Sequence, residues 1–213
     1  MKKLKNNRPS KRPEHERGVS LIMVMLVLVV VSLLGVSAVK ISILGERSAR
    51  NDRDYQVAFQ AAEAALLDAE IDMNGPGTAP RKDAVFTPGN DIAFLSGCGT
   101  QGTSKGLCSV NIAGKPAWLT INFAATDAPA VVFGDFTGRP FDFGSVGIKP
   151  VQKPRYIIES FPNSEVFVNK GSSDASKSQE LKRSQTPKAY RVTAMGFGTR
   201  PDIQVVLQTV FRK

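Results

Sequence analysis

An uncharged, strongly apolar segment from Val19 to Val39 constrains this chain more than any other feature. Fourteen of its 21 residues are Leu, Ile or Val, and the others are only Ser, Met, Gly and Ala. A helix of about 20 apolar residues spans a bilayer. The fourteen side chains contribute roughly −4 to −8 kcal/mol to membrane insertion. The segment therefore predicts a transmembrane helix over residues 19–40 rather than a buried helix of a soluble domain.

The charge in front of this segment predicts its orientation. Residues 1–17 hold seven Lys and Arg against two Glu. Such a positive flank stays in the cytoplasm, so the remainder of the chain is expected to cross the membrane. A secreted protein cleaved after Ala38 is the alternative, because Val36-Ser37-Ala38 offers small residues for a signal peptidase. The apolar core of a signal peptide is, however, usually only about 7–15 residues long.

The helix is predicted to continue beyond the membrane as an amphipathic segment over residues 41–73. No proline occurs between Pro13 and Pro76, and Asn74-Gly75-Pro76-Gly77 supplies residues that end a helix. A helix from Val19 to Met73 would be roughly 80 Å long. One apolar stripe at spacings of three and four is expected to pack on a head domain: Tyr55, Phe59, Ala62, Leu66, Ala69 and Met73, flanked by Ala58, Ala61 and Ala65.

Residues 74–213 are predicted to form a β-rich head domain, in which an antiparallel sheet lies on the helix. The clearest strands are Ala189 to Gly198 and Ile203 to Phe211, joined by a turn at residues 199–202. In the last strand, alternation places Ile203, Val205, Leu207, Thr209 and Phe211 on one face. Further strands are predicted at residues 118–123, 156–160 and 165–168. The expected fold class is α+β.

Two other parts of the head have distinctive compositions. Residues 169–188 are polar and rich in Ser and Lys, so they are predicted to form a long mobile loop. Electrostatic binding of this loop to DNA or to anionic surfaces is the less favoured alternative. The segment 133–144 combines glycines with phenylalanines. Those phenylalanines are expected to fill the core rather than to form an adhesive tip.

The residues offer little for catalysis. The only histidine is His15, and neither a phosphate-binding glycine loop nor a G-x-S-x-G motif occurs. Asp68, Glu70 and Asp72 are read as an acidic helix end rather than a cation site. We predict no enzymatic activity, no metal and no cofactor.

The two cysteines are expected to form a disulfide. Cys98 and Cys108 flank a glycine-rich loop, and such pairs are oxidised outside the cytoplasm. On the chain-entropy estimate, closing this loop adds about 2.8 kcal/mol to the free energy of unfolding.

The segment Arg17-Gly18-Val19-Ser20-Leu21-Ile22, with a basic leader before it and a long apolar helix behind it, resembles the leader region of type IV prepilins. The resemblance implies that a prepilin peptidase cuts between Gly18 and Val19 on the cytoplasmic side and methylates the new N-terminus at Val19. Residues 1–18 would then be a cleaved leader. In the filament, subunits of this kind pack through their apolar helices, here through Met23, Leu26, Val30 and Leu34.

Further segments narrow the resemblance to PilX-like minor pilins. They are Leu33 to Ser37, Glu46-Arg47, Ala58 to Leu66, Gly106 to Cys108, Pro154 to Glu159, Tyr190 to Ala194, and Val205 to Arg212. The family implies an inner-membrane protein whose head is periplasmic and later reaches the pilus. Implied partners are other minor pilins, the major pilin, the assembly platform and the bilayer. Implied roles are pilus assembly in a priming or tip complex, with adhesion or twitching motility as further contributions.

Two positions depart from the pilin pattern. Most pilins begin the mature chain with phenylalanine and carry a glutamate five residues after the cut, whereas this chain has Val19 and Met23. In the family, that glutamate pairs with the N-terminus of an adjacent subunit. Met23 supplies no such charge, which favours a subunit at the pilus tip. The K-type minor pseudopilin of type II secretion shares the pattern and stays an alternative.

Overall fold

A computed structural model describes residues 19–76, 81–87, 90, 92–142, 147–161 and 188–212. Helix α1 occupies Val19–Asn74. Its last turn is closed by the Gly75 amide, which donates to the carbonyl oxygen of Ile71 at 2.7 Å. The helix therefore ends where the Asn-Gly-Pro sequence predicts. The chain divides into two compact units, with the boundary between Ala49 and Arg50.

The second unit contains a five-stranded sheet. Its strands are β1 (Leu107–Ser109), β2 (Val131–Val132), β3 (Arg155–Ser160), β4 (Ala189–Phe197) and β5 (Gln204–Arg212). The order is β1-β3-β4-β5, and β2 pairs with β3 as well. All pairs are antiparallel except β1 with β3, which is parallel. The α+β class is confirmed, and the sheet is mixed rather than purely antiparallel.

The β4–β5 hairpin follows the sequence pattern closely. Gly196 pairs with Val205, and Ala194 with Leu207. The Gly198 amide donates to the Ile203 carbonyl at 2.8 Å, which closes the predicted turn. Side chains at alternate positions from Val205 are buried or half-buried, whereas those between them are exposed. The predicted inward face of β5 is therefore confirmed.

The predicted strand at residues 118–123 is wrong. Residues Ala117–Thr120 form a short helix, α2, which begins after Pro116. The Thr120 hydroxyl donates to the Ala117 carbonyl at 2.8 Å, and the Ala117 amide donates to the buried carboxylate of Glu159 at 3.3 Å. These long-range and local hydrogen bonds outweigh the alternating pattern of polar and apolar residues that favoured a strand.

Both faces of the sheet are covered, so the second unit has three layers. Residues 58–73 of α1 cover one face, where they pack with Tyr156 and Ile158 of β3. On the other face, Ile157 packs with α2 and with a segment of irregular structure that includes Phe123 and Ala130. Strand β3 is consequently buried at five of its six residues. The predicted strand at 165–168 and the predicted loop at 169–188 lie outside the described residues.

Candidate assembly site

The apolar segment of α1 lies in the first unit, and its side chains are exposed throughout. Ser32 and Ser37 donate their hydroxyls to the carbonyls four residues earlier, at 2.7 and 2.8 Å, which removes these polar groups from the helix surface. A Cβ atom on Gly35 would have no neighbour within 4 Å. Within the described residues, α1 is the one helix long and apolar enough to cross a membrane. It fits a single-pass membrane anchor.

The four residues predicted to pack in a filament lie on one side of this helix. Met23, Leu26, Val30 and Leu34 are spaced by three and four residues, so their side chains fall within a narrow stripe. Each is more than half exposed, with Met23 and Leu34 both at 64%. The stripe is thus available to lipid or to another helix.

In the second unit, the buried face of α1 is made chiefly of alanine. Ala62 and Ala69 are fully buried and Leu66 is half-buried, but Tyr55 and Phe59 keep 55% and 37% of their surface exposed. The buried face therefore differs from the predicted stripe at its two aromatic residues. It is completed instead by the alanines that were expected only to flank it: Ala58, Ala61 and Ala65.

Gly196 explains why alanines occupy this face. A Cβ atom at position 196 would lie 3.0 Å from the Cα of Ala62, and closer still to the Ala58 carbonyl oxygen and the Ala62 amide nitrogen. The backbones of α1 and β4 therefore approach so closely that no larger side chain fits between them. Tyr55 and Phe59 lie outside the buried face and remain exposed.

Asp72, at the end of α1, forms a fully buried ion pair with Arg81. The guanidinium donates to both carboxylate oxygens, with Nε 3.0 Å from Oδ1 and Nη2 bonded to Oδ2. The Tyr156 hydroxyl also donates to Oδ2, at 3.0 Å. Burial of the phenol is the main reason why the pKa of Tyr156 lies well above its ordinary value, and the negative charge of Asp72 raises that pKa further. The phenol therefore stays protonated and can keep donating to the carboxylate.

Arg81 has further partners besides Asp72. Its Nη1 donates to the carbonyl of Lys105 at 2.6 Å and to that of Thr103 at 3.4 Å. The guanidinium carbon lies 3.7 Å from the ring centroid of Phe136, a cation–π distance. One buried arginine thus joins the end of α1, the loop before β1 and the aromatic segment around Phe136.

Asp68, one turn earlier on α1, is fully buried as well. Its carboxylate accepts hydrogen bonds from the Gly134 amide, at 2.8 Å, and from the Thr137 hydroxyl, and it faces Arg139 at 3.8 Å. Burial raises the pKa of Asp68, while these hydrogen bonds and Arg139 act in the opposite direction. Asp68 therefore holds the segment after β2 against the helix.

The three acids read as an acidic helix end therefore differ in their surroundings, because Asp68 and Asp72 are buried. Only Glu70 of the three acids is exposed. The signal in the sequence was their position, because both fall on the same helical face as Ala65 and Ala69. Arg81 was not predicted, and no local pattern marks it. In the described part of the chain, no group of three potential metal ligands occurs.

The disulfide predicted between Cys98 and Cys108 is present. Cys108 lies in β1 and is completely buried, and Cys98 is nearly so. The phenylalanines expected to fill the core are buried or half-buried where the structure describes them: Phe133 is buried, Phe136 packs on the main core cluster, and Phe141 is half-buried against Phe133.

A shallow polar groove lies between α1 and the β4–β5 turn. It is lined by Asn51, Asp52, Tyr55, Arg200, Asp202 and Ile203. Its arginine is already engaged, because Nη2 of Arg200 donates to the side-chain oxygen of Asn51 at 3.0 Å and Nε lies 3.4 Å from the Asp54 carboxylate. The features that dominate the described residues are therefore the exposed apolar segment of α1 in the first unit and, within the second unit, the buried charges that join the end of α1 to the head.

Two family models match the chain. The PilX N-terminal model matches residues 17–67, and the model of the type IV pilus assembly protein PilX C-terminal region matches residues 77–213. Together they cover the apolar helix, the disulfide loop and the sheet. Neither a curated protein nor a solved structure matches the chain.

Proposed function

Because the chain belongs to the PilX family of type IV pilus assembly proteins, we propose that it is a minor pilin acting in the complex that primes or caps the pilus. The observation that carries this proposal is the exposed apolar segment of α1. Removing a Leu, Ile or Val side chain from water contributes about 1.5–3 kcal/mol. Such a surface requires lipid or neighbouring helices, and a pilin meets both in turn.

In this proposal, the basic residues 1–17 stay in the cytoplasm and the head is periplasmic. Prepilin peptidase cuts between Gly18 and Val19 and methylates Val19. The mature chain then has a membrane-spanning part (19–40), an amphipathic part (41–73) and a head (74–213). The match of the PilX N-terminal model from residue 17 onward supports this placement of the leader.

The chain's contribution to assembly is packing rather than chemistry. Lipid tails are as apolar as leucine, so leaving the bilayer is favourable only where helices fit closely, and small residues permit that fit. Gly35 has open space around it and lies about 100° around the helix from Leu34, so it permits close approach beside the stripe of Met23, Leu26, Val30 and Leu34 rather than on it. We assign the stripe and Gly35 to contacts with the major pilin and other minor pilins.

Met23 supports a place at the tip. A carboxylate at this depth of a membrane costs roughly 2.5–3.5 kcal/mol on insertion scales, so pilins that carry one need a partner for it in the neighbouring subunit. A subunit with methionine there neither requires nor provides that pairing. Such a subunit suits a position where one neighbour is missing. At initiation this position is next to the assembly platform, and after the pilus has grown it is the distal end.

The leader assignment is tested by determining the N-terminus of the membrane-extracted protein. Val19 as the first residue, and uncut precursor with Gly18→Asp, are expected. The matched variant Ala38→Leu keeps the helix apolar and should leave processing unchanged. If the chain were instead a secreted protein released after Ala38, Ala38→Leu would block processing and Gly18→Asp would not.

The place of assembly is tested in the native host with the chromosomal gene deleted. Loss of surface pili and twitching, restored by the wild-type gene but not by Gly18→Asp, is the expected result. The protein should also co-sediment with sheared filaments at far less than one copy per major pilin. Normal piliation together with loss of exoprotein secretion would assign the chain to a type II secretion system and overturn the proposal.

A further inference from the structure

The loop closed by the disulfide is held at both of its ends. Cys98 and Cys108 bracket residues 99–107. The Gly99 amide donates to the Leu107 carbonyl at 3.1 Å, and the Gly106 amide donates back to the Gly99 carbonyl at 2.9 Å. The Ile158 amide of β3 donates to the Gly106 carbonyl at 2.8 Å. The loop is thus a cross-linked ring whose base is part of the sheet.

Two carbonyls of this ring face Arg81. Those of Lys105 and Thr103 accept from Nη1, whereas Asp72 accepts from Nε and Nη2. Arg81 and Asp72 have no exposed side-chain surface, so water does not replace a lost partner. A buried charged group left short of hydrogen bonds is strongly destabilising. The ion pair at the end of α1 therefore depends on where the ring holds its carbonyls.

We propose that the Cys98–Cys108 disulfide acts as a redox latch. Its formation holds the Thr103 and Lys105 carbonyls against Arg81. These carbonyls stabilise the buried Arg81–Asp72 ion pair, which joins the end of α1 to the head. With both cysteines reduced, the loop is free to move and Arg81 loses these acceptors. The end of α1 is therefore held to the head more firmly on the oxidising side of a membrane, where disulfides form.

The redox step is a thiol–disulfide exchange. In oxidation, the two thiols give two electrons and two protons to the disulfide of an exchange partner, which leaves as a dithiol, and the Cys98–Cys108 sulfur–sulfur bond forms. Reduction by dithiothreitol runs the same exchange in reverse and yields oxidised dithiothreitol. These contacts would operate in any exported protein, so a failure of the tests below leaves the proposed role in pilus assembly untouched.

The first test is a double-mutant cycle on the full chain in nonionic detergent. It combines Cys98→Ser/Cys108→Ser with Asp72→Asn/Arg81→Met, which removes the ion pair without leaving a lone charge. Urea unfolding is followed by the fluorescence of Trp118, the chain's only tryptophan. The latch predicts that losing the disulfide lowers the folding equilibrium constant about tenfold more when the ion pair is present than when it is absent.

The matched control is Asp54→Asn. Asp54 lies on the same helix and accepts from the Thr199 hydroxyl at 2.6 Å, outside the disulfide loop. Its effect should add to that of disulfide loss without coupling. Additivity for the Asp72/Arg81 pair as well would overturn the latch, because the disulfide would then act on the loop alone.

The second test keeps the disulfide in place and so does not depend on a folded reduced form. The oxidised Asp72→Asn/Arg81→Met variant is exposed to dithiothreitol, and free thiols are counted over time. In this variant the loosened ring should expose the disulfide. The disulfide should then be reduced several-fold faster than the one in wild type or in Asp54→Asn, because exchange depends on access to the sulfur. Equal rates in all three proteins would refute the latch.

A third measurement locates the change. Hydrogen exchange is followed at the amides of Val85 and Phe86, which donate to the Arg81 carbonyl at 2.9 and 3.2 Å. On reduction of the wild-type protein these amides should exchange about tenfold faster or more, while those of the β4–β5 hairpin stay protected. Acceleration confined to residues 99–107 would contradict the coupling to Arg81.

Discussion

Replacing Gly196 by alanine should loosen the head from α1. The added methyl carbon would stand 3.0 Å from the Cα of Ala62, and nearer to the Ala58 carbonyl oxygen and the Ala62 amide. Carbon atoms in contact prefer about 3.5–4.0 Å. Since every one of these neighbours is backbone, no rotamer change relieves the overlap. The helix and β4 must separate by about 0.5–1 Å or more.

The cost follows from what that separation opens. It uncovers a cluster in which Ala58 and Ala62 are fully buried and Val205 nearly so. Overpacking of a core typically costs 1–3 kcal/mol, and a clash confined to backbone belongs at the upper end, about 3 kcal/mol. For a domain of this size, about 3 kcal/mol corresponds to a fall in Tm of about 6–12 °C.

The assay is thermal unfolding of the full chain in nonionic detergent, followed by Trp118 fluorescence. Gly198→Ala is a graded comparison, because its Cβ would lie 3.0 Å from the Asp54 carbonyl oxygen and 3.1 Å from Ile203, so a smaller loss is expected. Gly45→Ala is the control without a clash, since nothing lies within 4 Å of its Cβ position, and alanine inside a helix should leave the Tm unchanged or raise it slightly. A Tm for Gly196→Ala equal to that of Gly45→Ala would refute the close backbone contact.

Three other perturbations test the remaining interactions. Arg81→Met alone leaves Asp72 buried without its cation and should cost about 3–5 kcal/mol in urea unfolding, and adding Asp72→Asn should recover part of that loss. Burial raises the folded-state pKa of Asp68 above 3.8. The stability that Asp68 contributes is therefore greatest below pH 3.8 and is lost as the pH rises through the raised pKa. Wild type should lose stability relative to Asp68→Asn as the pH increases, and a pH-independent difference between the two would contradict this. Gly35→Leu should leave the amount of protein in the membrane unchanged but lower the amount in sheared filaments, because it blocks close helix contact.

Local sequence accounts for the elements whose stability is decided by near neighbours. Helix α1 follows from the apolar run, the continuing 3.6-residue periodicity and the lack of proline between Pro13 and Pro76. The β4–β5 hairpin follows from alternation on either side of a short turn. The disulfide could be expected because two cysteines flank a glycine-rich loop in a segment that the charge pattern predicts to be exported. Each of these signals lies within a few residues of the structure it specifies.

Contacts between distant segments decided the rest. Position on the helix alone could not show that Asp68 accepts from Gly134, 66 residues away, or that Asp72 accepts from Tyr156, 84 residues away. The same holds for the parallel pairing of β1 with β3 and for the short helix at α2, which a distant glutamate supports. Tyr55 and Phe59 look like core residues in the sequence, but the backbone of Gly196 lies against Ala58 and Ala62, and the two aromatic residues stay exposed.

The membrane-competent helix, the terminal hairpin and the cross-linked loop can be read from the sequence, because they depend on local periodicity and composition. Which helical face is buried, and which charges hold it to the head, follows only from the fold, because the free energy of a buried carboxylate depends on partners that are distant in the chain.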